Sequence, residues 1–394
     1  MKILLSSVSF MPAFAFGGPP KVAYDIAKEL TKRKHEVVVY TTDAKDVFSR
    51  LNVKPCDLLD GIEVHYFRNT SLAPVRASKL FITPSLIPAV KNNLKRFDLV
   101  HLHEYRSFQN IVIHHYASRY HSPYVLQAHG SLLPSGAKPR FKKLFDSVFG
   151  YNLLNDTSKL IALNQEESKQ YQQMGLLKEK ISIIPNGLDF SAYRQLPRQE
   201  SFKKKFGIAK DKKIILFMGR INWTKGVLVL VKAQAYLMRN LKFHDSILAI
   251  VGPDNGCLNE TQTLANSLGI KDSVIFTGPL YGQDKLAAYV DADVCVLPST
   301  YEAFPMTLLE ACACGKPIIA SKISTLQDFV NQAGGFFFEL QNSQQLAMRL
   351  LEILSDSKGA ARMGIKGKAF VEANFSIEKV VDQLEDLYEH VIET

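Results

Sequence analysis

The feature that most restricts this chain is an alternation that runs along nearly its whole length. Short apolar runs of strand length give way to stretches with apolar residues at helical spacing, and the pattern repeats. A strand buried on both faces reads as a continuous apolar run, and a crossover must intervene before the next parallel strand. The alternation therefore specifies an α/β chain with parallel sheets. Residues 2–8 read as the first strand. Gly17-Gly18-Pro19-Pro20 follow as a glycine turn whose prolines suit a helix start. Val22, Ala23, Ile26, Ala27 and Leu30 then mark one face of a helix. Residues 36–40, 99–102, 124–127, 160–163 and 181–184 read as further strands.

After Asn186-Gly187 the texture changes. Residues 190–212 are polar and basic, with Pro197 and the run Lys203-Lys204-Lys205, which marks a domain boundary. A second series then begins, with strands at 213–218, 247–251, 274–276, 294–297 and 317–320. Helices are predicted at 227–238, 261–268, 284–290 and 306–314. The tail carries Ile377, Val380, Val381, Leu384, Leu387, Tyr388 and Val391 at helical spacing. A length of 394 residues suits two cores better than one. The reading is a first domain at 1–190, a second at 191–372 and a terminal helix at 373–394.

Composition narrows the function classes. With 46% hydrophobic and 22% charged residues the chain is not of the disordered class. A formal net charge of +10 favours anionic partners: a nucleotide diphosphate, an acidic membrane surface or nucleic acid. The basic residues are spread and no nucleic-acid module is recognisable, so nucleic acid is not an expected partner. The five cysteines have neither metal nor disulfide spacing and read as free thiols in a reducing, cytosolic compartment. Residues 1–16 imitate a secretory signal ending in Ala13-Phe14-Ala15. Three serines and Pro12 interrupt the apolar run, so the segment is read as a strand. No apolar run reaches the roughly 18 residues of a membrane span.

Ligands of open parallel sheets bind beyond the carboxyl ends of the strands, so chemistry is sought there. Residues 299–315 follow the strand at 294–297. Pro305 suits the first helical position and Gly315 the residue past the end. Glu302 then stands in the loop and Glu310 inside the helix, staggered by roughly 7–8 Å of rise. Carboxylates accept hydrogen bonds and sugar hydroxyls donate them. The helix start between the two favours a diphosphate. Gly219-Arg220-Ile221-Asn222-Trp223-Thr224-Lys225-Gly226 follows the strand at 213–218. Arg220 can grip a phosphate as a fork and Lys225 as a point charge. The Walker A order is absent, and no GxGxxG follows either first strand, which argues against a nicotinamide enzyme. His129 stands at the end of the strand at 124–127. His101 and His103 share one face of theirs, but no third ligand has metal spacing.

Gly17-Gly18, His129-Gly130, Ile184-Pro185-Asn186-Gly187-Leu188-Asp189, Gly219-Arg220, Lys225-Gly226, Glu302 with Glu310, and Gly315-Lys316-Pro317 occur in that order. Together they resemble glycosyltransferase family four, the retaining family with the GT-B fold of two facing Rossmann-like domains. The resemblance covers nearly the whole chain. It implies that Arg220 and Lys225 neutralise the donor diphosphate without a divalent metal or other cofactor. It implies that Glu310 binds the ribose and Glu302 the donor sugar near the reacting carbon, with Phe304, Pro305 and Met306 beside it. His129 would hydrogen-bond the transferred sugar. Gly17 and Gly18 would admit backbone N–H groups to the phosphates or the acceptor. The loop at Pro279 and Leu280 would read the base. The terminal helix would cross back onto the first domain, and domain closure would assemble the site. The expected activity is hexosyl transfer from a UDP-sugar, or next from GDP-mannose, to a hydroxyl of a glycan, lipid-linked or small-molecule acceptor. The other readings are a sugar-nucleotide epimerase and a nucleotide-sugar-binding regulatory subunit.

Residues 137–149 mix Lys138, Arg140, Lys142 and Lys143 with Phe141, Leu144, Phe145, Val148 and Phe149. A basic amphipathic segment can lie on an anionic membrane. The expected placement is cytoplasmic, with this segment as a peripheral contact at the inner membrane surface. The plainer reading is a surface helix whose aromatic side packs inward.

Overall fold

The apolar runs become two sheets, one in each of two units: Met1–Gly187 with Ile377–Thr394, and Leu188–Ser376. The computed structural model describes residues 1–71, 80–133 and 139–394.

In the first unit the strands are β1 (Lys2–Ser6), β2 (Glu36–Thr42), β3 (Cys56–Leu59), β4 (Ile62–Phe67), β5 (Leu99–His103), β6 (Tyr124–Gln127), β7 (Lys159–Ala162) and β8 (Ile181–Ile183). Their order across the sheet is β3-β4-β2-β1-β5-β6-β7-β8. All pairs are parallel except β3 with β4. Central β1 is inaccessible at Ile3, Leu4 and Leu5, as a strand covered on both faces must be. The β3–β4 hairpin is an addition to the sequence reading. Asp60 and Gly61 join its strands, both with positive φ, the two-residue turn that Asp-Gly favours.

One core of this unit lies under the helices Leu86–Asn93 and Phe108–Tyr120, where Leu4, Val100, Leu102, Leu126 and Leu160 meet Val90, Val112 and Ile113. The last helix, Ile377–Glu393, packs beside the helix Gly18–Lys32 and buries all seven apolar positions singled out above. Arg33 fastens it, with Nη1 2.6 Å from Asp382, a further bond to Glu385, and Nη2 2.8 Å from the Glu378 carbonyl.

In the second unit the strands are β9 (Lys213–Met218), β10 (Ser246–Val251), β11 (Val274–Gly278), β12 (Val294–Leu297), β13 (Ile318–Ser321) and β14 (Phe336–Phe338). Their order is β11-β10-β9-β12-β13-β14, all parallel. The helices Ser324–Ala333, Ser343–Ser355 and Ser357–Asn374 and the strand β14 also go beyond the sequence reading. Each sheet runs outward in both directions from its first strand. The order therefore reverses between β1 and β5, and again between β9 and β12. At such a switch point adjacent crossovers leave on opposite faces and open a crevice at the strand ends.

Candidate active site

The switch point of the second unit collects most of the anticipated donor residues. Asn222 ends the extended loop after β9, and its Oδ1 accepts from Lys225 N at 3.0 Å and from Thr224 Oγ1 at 2.9 Å. That cap starts the single turn Trp223–Lys225. Gly226 follows with φ +67, and a Cβ there would stand 1.9 Å from the Pro298 carbonyl oxygen. Only glycine lets the loop after β9 press against the loop after β12. Thr300 N then donates to Thr224 O at 2.8 Å, which ties the two loops. The result is an ion pair across the switch point. Lys225 Nζ lies 2.6 Å from Glu302 Oε2, which also accepts from Ser299 Oγ at 3.1 Å. Arg220 is partly buried in the same loop and has no side-chain partner among the described residues.

Glu310 is buried in the helix Met306–Ala313. Its Oε2 accepts from the Tyr289 hydroxyl at 2.7 Å and its Oε1 from Lys285 Nζ at 2.5 Å. Lys285 and Tyr289 both lie on the helix Gly282–Asp291, which follows β11 and the Pro279-Leu280 loop. Burial first, and then the Glu310 charge, push the Tyr289 phenol well above its ordinary range, so it stays a donor. Neither tyrosine nor lysine was anticipated from sequence. The two anticipated glutamates thus meet two lysines, and Arg220 leaves the crevice with an excess of positive charge.

Some expectations shift. Pro305 is the residue before the helix, with ψ +62, and not its first helical residue; its carbonyl accepts from Leu308 N and Leu309 N at 2.9 and 3.0 Å. Phe304 sets its ring 5.9 Å from Phe375, and Phe304, Met306 and Leu280 pack against the core. Pro279 is exposed.

The switch point of the first unit is built differently. Gly17 has φ +88 and precedes the helix Gly18–Lys32, but its N–H already donates to Phe14 O at 3.1 Å. Pro19 and Pro20 have no N–H to give. Of the four N–H positions that a helix start leaves unpaired, only that of Gly18 remains, so the expected backbone cradle is narrower than the glycine pair suggests. Beyond β5, Glu104 Oε2 accepts from Val8 N at 3.2 Å. Beyond β6, His129 takes φ +52, and its Nε2 lies 2.8 Å from His103 Nδ1 with the rings 8° from parallel. The His101 ring lies 4.2 Å from that of His103, and His101 Nδ1 is 2.7 Å from the Tyr388 hydroxyl of the last helix. Burial disfavours imidazolium here and pushes His101 and His129 down to about 3, and His103 well below its ordinary value. Glu167 braces the loop. Its two oxygens accept from Gly130 N at 2.6 Å and Leu163 N at 2.7 Å, while burial lifts its carboxyl to about 7.

Comparison with known proteins adds to this geometry. Residues 16–192 match the model of glycosyltransferase family 4, and residues 198–370 that of the glycosyl transferases group 1. Between them the two matches take in nearly all of both units. The chain belongs to glycosyltransferase family four. The family four chain is 23% identical to an uncharacterized glycosyltransferase of Methanocaldococcus jannaschii, over all of this chain and 99% of that one. It is 26% identical to the D-inositol 3-phosphate glycosyltransferase of Nocardia farcinica, over 94% of this chain and 84% of the relative. Its fold is that of the Anabaena HepE protein solved with UDP and glucose, at a TM-score of 0.79, 21% identity and 99% coverage of both chains. The fold is GT-B, and the activity is transfer of a sugar from a nucleotide sugar.

Two further features of this glycosyltransferase stand away from those crevice residues. The basic amphipathic segment runs through the helix Pro139–Phe145 and the turn Asp146–Gly150. Lys138 lies outside the described residues. The aromatic side does not pack inward as a whole: Phe145 is buried, but Phe141, Leu144, Val148 and Phe149 are 42–59% exposed. Asp146 turns inward beside Phe145 and holds Arg106 through bonds of 2.6 and 2.8 Å. Arg140, Lys142 and Lys143 border the exposed apolar side chains. Among the described residues no helix is long and apolar enough to cross a membrane. Among them, too, one group brings metal-ligand atoms within 4.8 Å of one another: Cys56, Glu63 and His65 on the β3–β4 hairpin. His101 and His103 are not part of that group.

Proposed function

We propose that this chain is a retaining hexosyltransferase that uses a UDP-sugar, with GDP-mannose as the second candidate donor, and acts without a divalent metal. The observation that carries the reading is the array at the β9–β12 switch point: Lys225 on Glu302, Lys285 on Glu310, and Arg220 with no side-chain partner among the described residues. A diphosphate brings two negative charges to a place that already has one surplus cation. Arg220 takes one phosphate as a fork, and Lys225 exchanges Glu302 for another. Glu302, released from Lys225, accepts from the sugar hydroxyls, and Glu310 accepts from the ribose. HepE, solved with UDP and glucose, has the same fold.

Transfer then runs on one face of the sugar. The bond from the anomeric carbon to the diphosphate oxygen breaks, and a bond to the acceptor oxygen forms on the same side. The acceptor proton passes to the leaving diphosphate. The demand on the protein is to stabilise departing negative charge, which Arg220 and Lys225 meet. His129 holds the transferred sugar. The acceptor is a glycan, a lipid-linked sugar or a small molecule. The exposed Phe141, Leu144, Val148 and Phe149 beside Arg140, Lys142 and Lys143 support peripheral docking to an anionic surface. Anionic liposomes should then pellet the chain at low salt, and failure to do so removes that part of the reading.

The donor is tested by thermal-shift titration with UDP, GDP and ADP in the absence of metal. A ligand at 100 times its Kd adds about 2.7 kcal/mol of stability. UDP should raise the melting temperature, and Glu310→Ala should lose that response while still folding. No response to any of the three overturns the donor assignment. An isomerised donor formed without acceptor would favour an epimerase, and tight binding without turnover a regulatory subunit.

A further inference from the structure

We propose that His103 is a positioning residue that fixes His129 as a hydrogen-bond donor through Nδ1–H. The tautomer follows from where a proton can be borne. Both rings are neutral, since burial leaves no room for imidazolium. One proton lies between His103 Nδ1 and His129 Nε2, which are 2.8 Å apart. If His129 supplied it, His103 would carry its own proton on Nε2, and that atom is buried without any partner. The neighbouring acceptor in register on β6 is Gln127, whose Oε1 is equally without a partner and so takes no such proton. A buried orphan N–H is the rarer and costlier outcome than an orphan lone pair. His103 therefore donates through Nδ1, and its Nε2 keeps only a lone pair. His129 then accepts at Nε2 and must carry its proton on Nδ1.

That nitrogen is the one left for a ligand. His129 is half-buried, and its Nδ1 is not among the buried atoms that lack a partner. The rest of the assembly resists rearrangement. The His101 ring stacks on that of His103 at 4.2 Å between centroids, and Tyr388 of the last helix holds His101. Glu167 fixes the backbone one residue beyond His129 through Gly130 N. A ring locked in one tautomer presents a donor to a sugar oxygen with no reorganisation at the moment of transfer. That catalytic benefit rests on the reading of His129 as a sugar contact given above; the tautomer itself does not.

The first measurement needs no substrate. Long-range ¹H–¹⁵N correlation spectra of the histidine-labelled protein report which ring nitrogen carries hydrogen, and His129→Asn assigns the signals. The expected result is a protonated Nδ1 on His129 in the native protein. A proton on Nε2 overturns the proposal, whether or not the chain binds any nucleotide. The second measurement compares His103→Asn, whose amide keeps a donor near the place of Nδ1–H, with His103→Leu. Release of UDP from the UDP-sugar should slow about tenfold in kcat for His103→Leu and recover to within about threefold of native for His103→Asn, with UDP affinity unchanged in both. Native rates in both variants, or a matching loss of UDP affinity in both, would show that His103 does not act through His129.

Discussion

The two units share one sheet plan, yet their switch points hold opposite chemistry. At β9–β12 the side chains are charged, with Lys225 paired to Glu302, Lys285 to Glu310, and Arg220 as a surplus cation. At β1–β5, with β6 beside them, the stacked imidazoles are kept neutral by burial. On the proposed function, one topology serves two ligand types: a charged diphosphate meets ions that exchange partners, and a neutral sugar meets dipoles whose direction burial sets beforehand.

The largest expected effect is at Lys225. If Lys225 grips the donor diphosphate as proposed, Lys225→Ala removes that contact and leaves partly buried Glu302 without its cation. UDP release from the UDP-sugar should slow by about 10²–10³-fold, against about tenfold for His129→Asn. A larger loss at His129 than at Lys225 would invert the division of labour.

A smaller effect separates the units by pH. His101, His103 and His129 have folded pKa values below the unfolded value near 6.5, so the unfolded chain binds protons that the folded unit refuses. Their contribution is fully present above about pH 6.5 and is lost as pH falls toward 3. Glu167, lifted to about 7, works the other way and is lost as pH rises from about 4.5 to 7. Three groups oppose one, so between pH 6.5 and 4.5 the first unit should lose about 1–3 kcal/mol per pH unit. Hydrogen exchange at the amides of β5 and β6, corrected for intrinsic rates, reads that slope. An equal slope at β9 and β12 would erase the contrast.

The smallest effect concerns how the first unit is held together. Arg33→Ala cuts partly exposed bonds to Asp382, Glu385 and the Glu378 carbonyl and should cost about 1 kcal/mol. Faster exchange confined to residues 377–393 checks it.

The sheets were legible in the sequence because buried strands are continuous apolar runs. The β3–β4 hairpin was not, since β3 is largely exposed and offers no apolar run, although Asp60-Gly61 marks its turn. The helix Ser357–Asn374 escaped because Gly359, Gly364 and Gly367 lower its helical signal. Gly364 has a packing reason: a Cβ there would stand 2.0 Å from the Gly315 carbonyl oxygen. Arg220, Lys225, Glu302 and Glu310 could be picked out because each stands just past a strand or in the helix after it. Lys285, Tyr289, Glu167 and the pairing of His103 with His129 could not. They reach the site from separate elements, 21 to 37 residues from their partners. No local period records such a meeting.

The last helix belongs to the unit that the chain begins, and this sets an order of events during synthesis. His101 finds its hydroxyl partner 287 residues later, at Tyr388. A ribosome therefore delivers all of Leu188–Ser376 before the first unit can close over its imidazoles. Until then the nascent first unit exposes the apolar strip that Ile377, Val380, Val381 and Leu384 will cover. The second unit, whose residues are contiguous, can complete its fold while the first still waits.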